Sequence, residues 1–561
     1  MHKSQPHHLH SGIRTVLWSY WISTKKWQAW GLLFLLGFIL LGRTGLQVMF
    51  LIFGGELTSA LVAQDTDRFI QALLIFLSVL LVGIPFASIA DYLKAKLGLS
   101  WRNWLTHRYL HKYLEQSRFY QIRLLNKVDN PDQRIETDIR TLTRESLEFL
   151  AIGLESMFQL FGIAGVLWRI SLPLMIFVVI YSIAGTIIST VFFGRTLIGI
   201  NQAQLQREAD FRYGLARIEK NAEKIALYDG GITELKQSQN QFQNVYSNFK
   251  HLIRWQFGLN LFQNHYQYAT FIIPGVILAP RLFAGELEIG DITQAGTAFK
   301  LMLGALALIV LKMQQLTNLG AAYQRLGQLE ISLNDDSVGE PHIQIQHGES
   351  IVLDHVTVLT PDYKTTLIPN LSLTVNDQNS LLIVGASGVG KSSLLRAIAG
   401  LWTSGEGTVT RPKVANLMFL PQQPYLIKGS LREQLLYPRL LQQTTPIPES
   451  ALEKVLEQVN LLNLLERWGH LDGGQAEMLT LSLGEQQRLA FARLLLHSPR
   501  FALLDEATSA LDLHNEERLY ELLQTKQTTY ISIGHRLSLK KYHRQMLKIS
   551  TPQEWNLVEI Q

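Results

Sequence analysis

The spacing of its uncharged apolar runs limits this chain more than any other feature. A helix needs roughly 20 mostly apolar residues to cross a bilayer. Five stretches within residues 1–320 meet that length, at about 28–55, 70–92, 147–168, 170–194 and 257–280. A sixth, at about 292–316, has Lys300 and Lys312 around its apolar core LMLGALALIVL. Residues 330–561 contain no such run. Only 17% of the chain is charged, against about 25% in a soluble domain, and the deficit lies in the first part. A string of small soluble modules is therefore excluded. The expectation is a six-span α-helical membrane domain over 1–330, followed by an α/β domain over 331–561. The chain has no cysteine, which rules out a disulfide framework and a thiolate metal site. His7, His8 and His10 precede the first apolar run. That run, from Trp27 onward, is too long for the core of a cleaved signal and reads as retained.

Loop charge gives the orientation. The segment joining the second and third runs carries nine Lys/Arg against three acids, while the loops after the first and fifth runs are acidic. Basic loops stay in the cytoplasm, which also accounts for the net charge of +5 without a nucleic-acid partner. Roughly 40 and 60 residues of amphipathic, helix-favouring sequence join runs two to three and four to five, too long for simple connections. These helices are expected to extend beyond the bilayer. Three charges fall inside runs: Arg43, Glu155 and Lys300. Each costs about 2.5 kcal/mol or more if it faces lipid. A shared polar pathway for a solute, centred on Arg43, is one reading. An internal ion pair or a helix end outside the hydrocarbon is the other, and suits Glu155 and Lys300 better.

In the second part, the apolar strand at 380–384 runs into Gly385-x4-Gly390-Lys391-Ser392 and then the helix-forming SLLRAIAG. This is a P-loop in its proper strand-to-helix context. Backbone N–H groups of a loop containing Gly385, Ser387, Gly388, Gly390 and Ser393 can turn in on a triphosphate at a helix N-terminus. Lys391 can neutralise the phosphates, and Ser392 can offer a hydroxyl to Mg²⁺. A second buried strand at 501–504 delivers Asp505, able to hold the metal through water, and then Glu506, able to polarise an attacking water. A third strand, in TTYISIGHR, ends near His535 at the same edge of the sheet. In FLPQQPYL, Gln422 follows a short strand, where its amide can meet metal and water or simply cap a turn.

Together GASGVGKSS, PQQPY, LSLGEQQRLAFAR, LLDEATSALD and SIGHR stand in the order and spacing of an ABC ATPase domain, covering residues 340–540. The resemblance implies ATP and Mg²⁺ as cofactors, with Glu506 as catalytic base, His535 as switch histidine, Gln422 as the Q-loop residue and Asp512 as the D-loop aspartate. It further implies that Ser482 and Gly484 contact the γ-phosphate of ATP held on the P-loop of a second copy, in a head-to-tail homodimer. Leu483 and Glu485 replace the Gly and Gln usual in that signature, which bears on rate and affinity. Where many relatives place an adenine-stacking aromatic there is Thr360, with Tyr363 nearby as a substitute.

The membrane part narrows the placement. WRNWLTHRYL, DNPDQRIETDIR and ADFRYGLARIEKNAEKIALYDG resemble the subfamily of peroxisomal fatty acyl transporters and SbmA/BacA-like bacterial transporters with a fused ATPase, subfamily D. That resemblance implies a half-transporter with six spans of the exporter-type (type IV) fold, and coupling helices near 130–133 and 221–229. The expected function is ATP-driven transport of a polar or amphipathic solute, cobalamin- or peptide-like or fatty acyl-like. The expected location is the bacterial inner (cytoplasmic) membrane, with the ATPase domain in the cytoplasm. The alternative is an ATP-regulated channel or signalling protein that does not pump. The presence of both Glu506 and His535 argues against it.

Overall fold

The computed structural model describes residues 16, 18–124, 128–306, 312–334, 342–439, 447–473, 481–551 and 554–560. The three N-terminal histidines, part of the sixth apolar run and the first two residues of LTLSLGEQQR lie outside them. The chain forms two compact units: 1–115 with 128–334, and 116–127 with 335–561.

The regular elements described in the first unit are all helices. Among the described residues, four helices are long and apolar enough to cross a membrane: α1 (Lys26–Val62), α2 (Thr66–Leu114), α3 (Pro131–Ile170) and α4 (Leu172–Lys220). Helix α5 (Gly231–Phe283) holds the fifth expected run, and helix α6 (Ile289–Leu306) the first part of the sixth. Both are less apolar, because α5 carries Asn260, Gln263, Asn264, His265 and Gln267, and α6 carries Asp291 and Lys300. Helix α7 is Met313–Asn334. The 49 residues of α2 rise about 70 Å against a hydrocarbon core of about 30 Å, so it extends past the bilayer as the amphipathic stretches suggested. Asp65 caps it, accepting from the Arg68 N–H at 3.0 Å. Leu167, Leu174, Val178, Leu278 and Phe299 are fully buried between helices, whereas Phe34, Leu81 and Phe161 lie bare on the helix surfaces. Large apolar side chains left bare mark surfaces that meet lipid or another protein.

The second unit has two sheets. Strands β1 (Gln344–His347), β2 (Ile351–Leu359), β3 (Thr366–Val375) and β5 (Gly405–Arg411) form one, ordered β1-β5-β2-β3. Strands β4 (Leu381–Gly385), β6 (Leu417–Leu420), β7 (Phe501–Asp505), β8 (Thr529–Ile533), β9 (Gln545–Thr551) and β10 (Glu554–Glu559) form the other, ordered β10-β9-β4-β8-β7-β6. Five of these six strands run parallel, and only β10 is antiparallel. Strands β7 and β8 are buried along their whole length, which explains their continuous apolar sequence. The parallel alignment brings the residues after β4, β6, β7 and β8 to a single edge, where open α/β sheets bind ligands.

Candidate functional site

That edge assembles most of the residues singled out in the second part of the sequence. Gly385 closes β4, and a Cβ there would stand 2.3 Å from the Ile549 carbonyl oxygen, so only glycine fits. Gly388 (φ +85°) and Gly390 (φ +100°) turn the chain through left-handed conformations into helix α8 (Lys391–Ile398). Ser387 is exposed on the loop, and Ser393 lies half-buried in the first turn of the helix. Lys391 is buried, and its Nζ donates to the Gly385 and Ala386 carbonyls at 2.9 and 2.7 Å. Burial pulls its pKa below the ordinary lysine value, although the Glu506 and Asp505 carboxylates act in the other direction.

Ser392 Oγ donates to Asp505 Oδ1 at 2.9 Å. Burial raises the Asp505 pKa above the usual carboxylate value, against the pull of that hydrogen bond. The Glu506 backbone sits at φ 48°, a left-handed conformation uncommon for a non-glycine residue. Strain of this kind collects at sites that must aim a side chain. The carboxylate is held on both oxygens: Gln422 Nε2 donates to Oε2 at 3.0 Å, and His535 Nε2 meets Oε1 at 3.2 Å. The amide of Gln422 therefore meets Glu506, beyond the simple turn cap that its position alone also allowed.

The signature stretch opens helix α10 (Leu483–His497), reached after α9 (Glu449–Gln458). Ser482 is its N-cap in a full capping box. Ser482 Oγ accepts from the Glu485 N–H at 3.2 Å, and Glu485 Oε2 accepts from the Ser482 N–H at 2.8 Å. Glu485 thus closes the helix end, and Leu483 lies on its surface. Burial pushes the Glu485 pKa up, but the Ser482 N–H and hydroxyl, with Arg467 and Arg488, outweigh it and hold the carboxyl below its usual range. A Cβ on Gly484 would stand 3.2 Å from the Ala510 carbonyl oxygen. Asp512 caps helix α11 (Leu513–Thr525), accepting from the Asn515 N–H at 2.8 Å. Tyr363 lies in the turn between β2 and β3, at φ 58°, on the other sheet.

Two residues that the motifs did not single out bind this edge together. Gln487, fully buried on α10, donates to the Gln422 carbonyl (2.9 Å) and Ser509 Oγ (3.2 Å), and accepts from the Ala510 N–H (3.0 Å). Arg493 donates to the Tyr425 and Gln434 carbonyls, both at 2.7 Å, and burial pushes its pKa down to about 10. A glutamine and an arginine standing among the apolar positions of the buried face of α10 were the available signal.

In the first unit, Arg43 Nη1 lies 3.5 Å from Glu155 Oε1. Glu155 and Lys300 line a common cavity, and Arg43 is not among its lining residues. The expected coupling segments behave differently from one another. Asn130 adopts a left-handed conformation ahead of Pro131. The DNPDQRI motif then buries Arg134, which pairs with Asp129 and donates to the Arg325 carbonyl at 2.6 Å, while Arg325 forms a two-pronged pair with Asp138. This segment belongs to the first unit. The helix that packs into the second unit lies upstream, at Arg118–Leu124, with Leu124 against the core of β2, β3 and β4. Its signal in the sequence is the amphipathic run FYQIRLL. At 221–229, the short helix Ala222–Leu227 leaves Leu227 and Tyr228 bare, at 78% and 86% exposure.

Comparison with known proteins fits this geometry. Residues 17–283 match the model of ABC transporter transmembrane region 2, and 368–509 match the model described as ABC transporter. An ABC transporter D family member 2, chloroplastic, from Arabidopsis thaliana is 38% identical, covering 95% of this chain and 85% of that protein. The chain belongs to the ABC transporter D family. The lysosomal cobalamin transporter ABCD4 of Homo sapiens is 33% identical over 87% of this chain and 86% of its own length. An uncharacterised ABC transporter ATP-binding protein of Synechocystis sp. is 42% identical over 96% and 82%. This D-family chain is accordingly an ATP-driven membrane transporter that couples ATP hydrolysis to transport.

Proposed function

We propose that two copies of the chain pair head to tail, and that ATP closes their ATPase domains to drive a polar or amphipathic solute across a cytoplasmic membrane. In this reading each copy has a membrane domain over 1–330 with six spans, α5 and α6 supplying the last two, and an ATPase domain over 331–561 on the cytoplasmic side. The observation that carries it is the Glu506 carboxylate held between Gln422 and His535 beside the P-loop.

The phosphates of ATP lie against the N–H groups of the loop from Gly385 to Gly390 and of Ser393. Lys391 exchanges its two carbonyl partners for phosphate oxygens. Ser392 Oγ and Asp505 are adjacent hard-oxygen donors, the kind of set Mg²⁺ takes, with Gln422 within reach. The ion neutralises charge on the β/γ-phosphates when bound. Glu506 orients the attacking water and accepts its proton. His535 fixes the carboxylate and reaches toward the γ-phosphate. The second copy closes the site with the N-terminus of its α10, presenting the partner's Ser482 and the partner's Gly484 to the γ-phosphate. Asp512 lies in the facing loop, and Tyr363 is the aromatic nearest in sequence for adenine. Closure is driven because ATP binds the closed form better than the open one. The bare Leu227 and Tyr228 suit a tip that docks on the partner's ATPase domain and transmits that closure.

The test is ATP turnover by the purified chain in lipid nanodiscs. Glu506→Gln is expected to keep ATP binding and lower hydrolysis by about 10²-fold or more; unchanged turnover would remove Glu506 from the role of base.

A further inference from the structure

The cavity in the membrane unit has a volume of about 420 Å³ and is lined from four helices: Ile152, Glu155, Ser156 and Gln159 of α3; Gly185, Thr186 and, just beyond, Ser189 of the Leu172–Lys220 helix; Gln263, Tyr266 and Gln267 of α5; and Lys300 of α6. Volumes of roughly 300–1,000 Å³ hold small-molecule ligands. Its polar groups differ in how far they are already engaged. Tyr266 spends its hydroxyl on the Tyr181 carbonyl at 2.8 Å. Gln159 donates to Gln47 at 2.9 Å and to Glu155 at 3.5 Å. The side chains of Gln263 and Gln267 make no hydrogen bond among the described residues, and both amides remain for a ligand.

The charges decide the ligand class. Glu155 is compensated by Arg43, which approaches it from α1. Lys300 makes no ion pair among the described residues, and its Nζ lies 5.8 Å over the Phe271 ring. One cation and one compensated pair leave a single positive charge at the wall, and of the partners an ammonium takes at membrane depth (water, backbone carbonyls or an acid) only an anion also cancels its charge. Within the transport function proposed above, we infer that this cavity binds a small solute bearing one carboxylate, taken by Lys300, and a body of amide or hydroxyl groups, taken by Gln263, Gln267, Ser156 and Thr186. A multiply charged nucleotide-bearing solute meets too few cations here. A simple hydrocarbon acid offers the Gln263 and Gln267 amides no hydrogen-bond partner and forgoes about 0.5–1.5 kcal/mol for each bond.

The test measures binding of N-acetyl-glutaminyl-tyrosine, with a free terminal carboxylate, and of its terminal amide, to the full chain in nanodiscs by calorimetry. The acid is expected to bind about tenfold more tightly than the amide. Lys300→Gln is expected to bring the acid to the level of the amide, and Lys300→Arg to keep the difference. Equal affinities, no saturable binding of either probe, or a difference that survives Lys300→Gln would overturn the inference. ATP hydrolysis without probe, compared with Glu506→Gln in the same preparation, tests the transporter reading separately. A preparation that hydrolyses ATP yet fails to separate the probes would sink the carboxylate site alone.

Discussion

The two units each centre on a carboxylate among polar neighbours, and they hold it differently. Glu506 is gripped on both oxygens at 3.0 and 3.2 Å, on a strained backbone at the end of a buried strand. Behind it Gln487 ties the Gln422 backbone to Ser509 and Ala510. Glu155 meets both its neighbours, Arg43 and Gln159, only at 3.5 Å, through one oxygen, beside an open cavity. Chemistry on a phosphate requires fixed geometry, because misplacement costs rate steeply. Carrying a solute requires groups that can exchange partners. The ATPase unit is built for the first and the membrane unit for the second.

If that contrast is right, substitutions should act sharply at one site and gradually at the other. Lys391→Ala removes the cation of the P-loop and is expected to lower ATP turnover by about 10²-fold or more, read as phosphate release at saturating ATP. Gln487→Leu removes three part-buried hydrogen bonds, worth about 0.5–1.5 kcal/mol each. If about 1.4 kcal/mol of that reaches the transition state, turnover falls about tenfold while the chain still folds. Turnover within twofold would show that Gln422 and the Ser509 loop are positioned by something else. Arg43→Ala should act more softly: with Glu155 uncompensated the cavity becomes neutral, and the preference for the acid probe over the amide should shrink severalfold. A preference that rises instead would break the charge argument.

The smallest effect concerns stability. Burial lowers the His543 pKa from 6.5 to about 4, where the ring packs between Tyr520 and Tyr530. The unfolded chain therefore takes up a proton that the folded unit does not. The stability contributed by the neutral ring is complete above about pH 6.5 and is lost as pH falls toward 4, at no more than about 1.4 kcal/mol per pH unit. Thermal unfolding of the full chain from pH 7 to 4 should show this slope, and His543→Phe should flatten it.

The ATP edge was legible in the sequence because each motif residue follows a buried strand, and parallel strands have only one edge at which to deliver their ends. Gln487 and Arg493 were passed over because nothing in a single helix says which loops its polar residues will reach. The membrane cavity was harder. Arg43, Glu155 and Lys300 were visible as charges in apolar runs. Which of them meet depends on how α1, α3 and α6 pack, and that is a tertiary fact. Gln159, Gln263 and Gln267 each look incidental until α3 and α5 bring them together. In DNPDQRI the arginine is buried in a salt-bridge cluster while Asn130, Asp132 and Gln133 stay exposed, a division that the motif alone does not show.

The central claim is that each ATP site is completed by a second copy. Differently tagged copies can be co-purified as mixed dimers and their ATPase rates measured in nanodiscs. If the sites are shared head to tail, one copy carrying Lys391→Ala paired with another carrying Ser482→Arg retains one intact site and about half the sites' turnover. One copy carrying both changes, paired with an unaltered copy, retains none. The reverse pattern, activity in the second mixture and none in the first, would show that each chain completes its own site and would contradict the account.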